Sequence, residues 1–426
     1  MLSTRNQQLM CANLEVVRLK AGAQDWDCAS VSLHSEISED SGMHILAPDD
    51  YVVNIVFASA DRIRQCQTCR NYFANVLHQP ALWWDDYWDE QGDGYQRRIS
   101  NGYFGCQDIV NADDDLDGHV SWMRALVKQI IEKGSHIEYG WHKLNFFAYW
   151  SRSTKQLVLV VFDASREFAD KISRAVLKEV DIPQLQDPFW IYPILLDLVV
   201  RLQNQAVWAV RGSVRMLEKH RAYSDRPQPN YVRMHDIARH AIHVSETLDV
   251  TLKTASMILF QHKYFVTHEM EPEKALRRTS KHIMDRLSYL EHVLFSLRAR
   301  SASNKERLSN EISLAFNTVA QYDSRVSVNI GRAAQSDSSA MKTVAFLTLA
   351  FLPGTFICAV FSMSFFNYDS ITGDWQVSDK FWLYWAVAIP VTIMTMLCWY
   401  IWSLRGSPNR FSEQPPGGKE IQQTTI

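Results

Sequence analysis

Thr343–Phe366, TVAFLTLAFLPGTFICAVFSMSFF, is a run of 24 residues without one Asp, Glu, Lys or Arg. A second uncharged run of 24, Phe381–Leu404, FWLYWAVAIPVTIMTMLCWYIWSL, follows after a short loop. As helices, each would extend about 36 Å, enough to cross a hydrocarbon core of about 30 Å. A core helix of a soluble domain is rarely apolar on every face over this length, so the runs are expected to be two transmembrane helices. Trp382, Trp385, Trp399 and Trp402 lie near the two ends of the second, where an aromatic belt would sit.

The flanking charges orient this hairpin. Arg325, Arg332 and Lys342 precede the first run, and Arg405 and Arg410 follow the second. The connecting loop sets Lys380 against Asp369, Asp374 and Asp379. The excess of basic residues on one side places both termini in the cytoplasm and the acidic loop outside, in a plasma or an internal membrane. The opening MLSTRNQQLMCANLEVVRLK has no apolar core of a cleaved signal peptide.

Across all 426 residues, 44 Lys+Arg against 47 Asp+Glu give a net charge of −3, which excludes a bulk basic field for nucleic acid. Hydrophobic residues at 47% and charged ones at 21% exclude a wholly disordered chain. The mean hydropathy of −0.20 is that of a soluble protein only because the average conceals the two C-terminal blocks. Seven cysteines are too sparse for a disulfide scaffold.

The residues upstream predict a mixed α/β domain. YVVNIVFAS (51–59), LNFFAYWS (144–151) and QLVLVVFD (156–163) read as strands, and Asp61–Leu77 and His119–Lys133 as helices. No Gly-rich phosphate loop follows any strand, and no catalytic constellation is visible, so neither a nucleotide cofactor nor an enzyme is expected. Phe189–Arg221 and Tyr231–Met270 read as long helices separated by the breaker run SDRPQPN. The first is interrupted by Asp197 and Arg201 and reads as a core helix, with a membrane-surface role as the alternative.

Between Pro272 and Pro353 there is no proline for 80 residues. Apolar positions fall at Ile283, Leu287, Leu290, Leu294 and Leu297, weaken through Ser301 and Asn304, and resume at Leu308, Ile312, Ala315, Val319, Tyr322, Val326, Ile330 and Ala333. This heptad-like, coiled-coil spacing predicts one long stalk helix running into the first membrane block, with the polar patch 301–310 as an alternative break. Such a helix cannot bury its stripe alone and needs partners from its own chain or from neighbouring subunits. The fold class expected is therefore an α+β cytoplasmic domain with a long stalk helix and two C-terminal transmembrane helices. The segments are a polar N-terminal stretch (1–45), a mixed α/β domain (46–188), a helical region (189–272), the stalk (273–342), transmembrane helix 1 (343–366), an outer loop (367–380), transmembrane helix 2 (381–404) and a disordered cytoplasmic tail (405–426).

This arrangement resembles the CorA family of divalent-cation channels. MKTVAFLTLAFLPGTFICAVFSMSFF (341–366) is similar to the family's first span, which begins with Met-Lys, carries a mid-span Pro and Thr-Phe, and ends in Gly-Met-Asn. Met341, Lys342, Pro353, Thr355, Phe356, Met363 and Phe365 match in type and spacing, over a resemblance that is specific from about 331 to 404. The resemblance implies a metal-ion transmembrane transporter assembled as a homopentamer, passing divalent cations, Mg²⁺ foremost, through a pore lined by transmembrane helix 1. Its partners would be the lipid bilayer, further copies of the chain and the divalent cation itself, transported or regulatory. At the filter, Ser362-Met363-Ser364 stands in place of Gly-Met-Asn, as in a divergent eukaryotic branch. A serine hydroxyl can accept from the water shell of a hydrated Mg²⁺ but reaches less far than an amide. The mouth is then selective, less selective or non-conducting. The alternatives are thus a non-conducting membrane scaffold or sensor that keeps the fold, or a Zn²⁺ transporter.

Steps of three and four along the first span give a candidate pore stripe: Ser338, Met341, Ala345, Thr348, Leu352, Thr355, Ala359 and Ser362. Small and hydroxylated residues alternate there with Met341 and Leu352, which would form apolar constrictions. Helix–helix packing selects the same residue types. Asp369, Asp374 and Asp379, repeated around a ring, would concentrate cations at the outer mouth; a solvated, orientation-setting loop is the other reading.

Weaker patterns remain. Asp113-Asp114-Asp115-Leu116-Asp117-Gly118 matches the first half of an EF-hand loop, but Arg124 stands where a bidentate Glu is required, so an acidic turn before the helix at 119–133 is expected. Cys66-x-x-Cys69 falls on a predicted helix without a second CxxC to complete a zinc site. His235, His240 and His243 share a predicted helix and read as surface histidines. Trp83-Trp84-Asp85-Asp86-Tyr87-Trp88 reads as an edge closure of the α/β domain.

Overall fold

The structure, a computed structural model, describes residues 14–37, 45–80, 83, 101–133, 136–219, 226–269, 274–361, 366–368, 371 and 373–405. The chain divides into two units, Met1–Val319 and Ala320–Ile426.

The first unit is built on one seven-stranded sheet. Its strands are β1 (Leu14–Lys20), β2 (Asp27–Val31), β3 (Tyr51–Ala58), β4 (Gly102–Val110), β5 (Leu116–Lys133), β6 (His136–Ser151) and β7 (Leu157–Phe162), in the spatial order β2-β1-β3-β7-β6-β5-β4. The β3–β7 pairing is parallel and the rest are antiparallel. β7, LVLVVF, shows why an unbroken apolar run is a strand here. Leu157, Leu159 and Val161 enter one core, and Val158, Val160 and Phe162 enter the other, as a period of two requires.

The second of these cores is closed by three short helices, α1 (Leu33–Ile37), α2 (Ala60–Gln65) and α3 (Gln67–Asn75), through Leu33, Ile63, Cys66, Cys69, Tyr72 and Phe73. Trp83 joins it with its ring 4.5 Å from Phe162; residues 84–88 of the aromatic run lie outside the described residues. The larger core lies on the opposite face, beneath α4 (Arg166–Glu179), α5 (Tyr192–Lys219), α6 (Tyr231–His268) and the first part of α7 (Lys274–Phe361). α5 buries Leu195, Leu196, Val199 and Val210, so it is a core helix, and Asp197 and Arg201 form an i,i+4 pair at 2.8 Å at its edge. Asn230 caps α6 by accepting from the Arg233 N–H at 2.9 Å, directly after the breaker run.

Two expectations change. His119–Lys133 is not a helix but most of β5, paired residue for residue with β6. Met123, Arg124, Ala125, Leu126 and Lys128 favour helices intrinsically, and nearly every side chain from 119 to 130 is buried, on both faces. The apolar–polar alternation that would mark a strand is therefore erased. Residues 14–31, part of the stretch read as polar and weakly patterned, supply β1 and β2, with Leu14, Val16 and Leu19 buried.

α7 is continuous through the polar patch 301–310. Ile283, Leu287, Leu290, Leu294 and Leu297 are all buried against the first unit's own helices, each contributing about 1.5–3 kcal/mol. Ser301 and Asn304, at 4% and 1% exposure, continue the same stripe. Asn304 fits there because its amide donates to the Val207 carbonyl of α5 at 3.2 Å. Arg307 forms a two-pronged pair with Glu218 of α5 beside it.

A fully buried polar knot fixes the start of α7. Asp187 accepts from the Phe189 N–H at 2.9 Å through Oδ1; its Oδ2 lies 2.9 Å from His262 Nε2 on α6 and accepts from the Ser280 hydroxyl on α7 at 2.6 Å. Asp187 and His262 are 0% exposed and Ser280 1%. Removing the acceptor takes a hydrogen-bond partner from three buried groups, so Asp187→Ala is expected to cost about 3 kcal/mol and Asp187→Asn, which keeps an oxygen, clearly less. Thermal denaturation of the detergent-solubilised chain checks this; equal Tm losses for the two variants would contradict it.

Candidate functional site

The second unit holds the two apolar segments. The C-terminal part of α7 and α8 (Trp382–Arg405) are both long and apolar enough to cross a membrane, and both expose most of their side chains. Water does not favour such surfaces, whereas lipid and further protein chains do. Between them, β8 (Phe366–Tyr368) and β9 (Trp375–Val377) form a short antiparallel hairpin with Gly373 at φ +71°. The sequence reading assigned no strand here. Its signal was the pair of aromatic-containing triplets flanking Thr372-Gly373.

α7 and α8 pack on one face. Ile357 and Ala388 are 8% and 5% exposed, Pro353 is buried, and Leu349, Ala350 and Gly354 are half-buried. The Tyr384 hydroxyl donates to the Gly354 carbonyl at 3.3 Å, and the rings of Phe346 and Trp399 lie 5.9 Å apart. The candidate stripe is elsewhere. Met341 and Leu352 are 68% and 61% exposed, and Ala345, Thr348, Thr355 and Ala359 are also exposed, with Ser338 half-buried. At about 100° per residue, the stripe lies roughly opposite the α8-facing row of Phe346, Ala350, Pro353 and Ile357. Among the described residues, packing within this unit therefore does not use it.

The hydroxyls on this face are oriented by the helix itself. Thr348 donates to the Val344 carbonyl at 2.8 Å, and Thr355 to the Leu352 carbonyl at 2.9 Å. Each threonine oxygen thus spends its proton on the backbone and retains its acceptor lone pairs, the capacity that the water shell of a cation needs. Ser362, Met363, Ser364 and Asp369 lie outside the described residues; Asp374 and Asp379 are exposed.

Elsewhere, the acidic run is a turn between two strands rather than a turn before a helix. Asn111 Oδ1 accepts from the N–H groups of Asp113 and Asp115 at 2.9 and 3.0 Å, and Asp114 sits at φ +67°. Arg124, on β5, is 2% exposed. An EF-hand is thereby ruled out, because the helix that would follow its loop is absent. His240 is not a surface histidine: it is 1% exposed, with its ring 5.3 Å from that of Tyr139 on β6. His235 is exposed, and half-buried His243 meets Trp141, with ring centroids 5.8 Å apart. Lys128, beneath them, lies 4.4 Å over Tyr139 and 5.0 Å over Trp141. Cys66 and Cys69 come together with His34, a third ligand from α1 that spacing in the sequence did not suggest.

No family model matches the chain. It is 30% identical over 297 residues to the notoamide biosynthesis cluster protein M′ of Aspergillus versicolor, covering 65% of this chain and 61% of that protein, so it spans about three fifths of the relative's length. Among solved structures, the full-length CmaX protein superposes with a TM-score of 0.41 at 11% identity, over 92% of this chain and 97% of that one. The complete CorA magnesium transporter from Methanocaldococcus jannaschii superposes with a TM-score of 0.37 at 12% identity, over 93% and 98%. Neither likeness carries the functional reading, which rests on this chain's own side chains.

His240 makes a pH prediction. Burial, then Lys128, Arg239 and His243 nearby, lower its pKa to about 4, against the opposing pull of Asp236. The unfolded chain would bind its proton near pH 6.5, so the folded state is relatively favoured above that and loses this advantage as pH falls toward 4. His240→Gln is expected to show a shallower decline of Tm between pH 6.5 and 4 than the unaltered chain. Parallel curves for the two proteins would show that His240 does not carry the effect.

Proposed function

We propose that the chain is an integral membrane subunit of a CorA-like cation channel or transporter, which assembles as a homo-oligomer and passes divalent cations down their electrochemical gradient. The observation that carries this reading is the uncommitted face of the first apolar helix. Ala345, Thr348, Leu352, Thr355 and Ala359 are exposed while the opposite face of the same helix packs against α8. Two spans cannot enclose a conduit, so several such faces are needed around one axis. The stalk supports this. Val326 and Ile330, four residues apart on one helix face, are 37% and 65% exposed, without cover among the described residues. By family resemblance the ring is a pentamer and the cargo Mg²⁺, with Ser362-Met363-Ser364 at the mouth; by charge, Asp369, Asp374 and Asp379 attract cations and the flanking Lys and Arg keep both termini in the cytoplasm.

A second reading, a non-conducting scaffold or sensor, is favoured by Ser364, which replaces the amide of the filter with a shorter hydroxyl. Metal flux into dye-loaded proteoliposomes separates the two. Thr355→Trp, which fills the stripe, is expected to lower Mg²⁺ flux by roughly tenfold or more, whereas Met394→Trp, on the exposed surface of α8, leaves it nearly unchanged. Ser364→Asn is expected to raise selectivity for Mg²⁺ over other divalent ions. Absence of flux from a folded oligomer, before and after Ser364→Asn, would leave the scaffold reading standing.

A further inference from the structure

We propose that His34, Cys66 and Cys69 form a zinc site that staples the N-terminal helix α1 to the α2–α3 junction, independently of any ion carried through the membrane. His34 Nδ1 lies 3.2 Å from Cys66 Sγ, and the ligand atoms of all three residues lie within 4.8 Å of one another. A tetrahedral Zn²⁺ with bonds of about 2.0–2.3 Å separates its ligand atoms by about 3.5–3.8 Å, so small rotations about the side-chain bonds bring the three into register.

The backbone prepares this arrangement. Cys66 is the extended residue between α2 and α3, at φ −102° and ψ 109°, and makes no side-chain cap on α3. Cys69 follows in the first turn of α3, so both sulfurs sit at the positive end of a helix dipole, which favours thiolate charge. The sulfurs are shielded, since Cys66 and Cys69 are 9% and 3% exposed and pack in the core with Leu33, Ile63 and Phe73. Neither is in a disulfide.

The donor set selects the ion. Two thiolates and an imidazole suit Zn²⁺ and reject Mg²⁺, which demands hard oxygen ligands. Three protein ligands leave a fourth position for water or a further side chain. The role is structural. Helices of five and six residues, such as α1 and α2, are too short to hold themselves, and an ion bridging them supplies the missing constraint. Among the described residues, no other group of three metal-ligating side chains is gathered in this way.

Elemental analysis of the full chain, purified in detergent without a polyhistidine tag, tests this. The expected result is about one zinc per chain, lost in Cys66→Ser and in His34→Ala and retained in Cys28→Ser, whose thiol is exposed and outside the cluster. Replacement by Co²⁺ should give thiolate charge-transfer absorption and the strong visible bands of a tetrahedral ion. Should the variants fold poorly, the unaltered protein still decides. Mass spectrometry after alkylation should find Cys66 and Cys69 protected until a chelator is added. Zinc-free protein from zinc-supplemented cells, a Cys66–Cys69 disulfide, or zinc held equally by Cys66→Ser would each overturn the proposal. The last outcome would place the ion elsewhere, without bearing on whether the chain conducts.

Discussion

An apolar stripe on a long helix has to be covered, and along α7 the cover changes in kind. From Ile283 to Leu308 it is the helices α4, α5 and α6, and those leucines form part of the larger core. From Val326 to Ile330 it is exposed among the described residues. From Thr343 onward the helix is apolar all round, and one row is met by α8 while the rest is exposed. The same hydrophobic effect acts throughout, but it asks successively for intramolecular partners, for neighbouring helices and for lipid or a conduit. In the proposed function, membrane insertion and self-association are what would answer that requirement.

Polar groups set the details where apolar packing alone would leave freedom. The Asp187 knot joins α6 and α7 through His262 and Ser280, and fixes which turn of α7 faces the core. Asn304 is tolerated in an apolar stripe because one carbonyl of α5 accepts from it. On the exposed face of the first apolar helix, Thr348 and Thr355 satisfy their own protons within the helix. A face meant for lipid gains nothing from such hydroxyls, whereas one lining a hydrated path gains acceptors without introducing charge.

The two faces of the sheet are handled differently. One is covered by long helices with large cores, and it tolerates a buried Lys128 and His240 because Tyr139 and Trp141 stand beside them. The other is covered by α1, α2 and α3, none longer than nine residues. Short helices bury little area each, so the His34, Cys66 and Cys69 cluster lies where a cross-link adds most.

The two apolar spans, the run of the stalk, the helices over 192–268 and the strands β3 and β7 were legible in the residues, because composition and period report directly on what each segment must bury. The seam with α8 and the freedom of the opposite face were not. A 3.6-residue period shows that small residues share a face but not which face meets a partner. β5 was misread because a strand buried on both sides loses its alternation; β2 was missed because it is the largely exposed edge strand, and β1 because its short run mixes Leu14, Val16 and Leu19 with charged residues. The sequence set the cysteine pair aside for want of further ligands, and His34 joins it from more than thirty residues away, a juxtaposition created only when α1 folds back onto the α2–α3 junction. Local pattern thus determined where the chain is apolar and helical; contacts between segments distant in sequence decided which side chains are left free to bind.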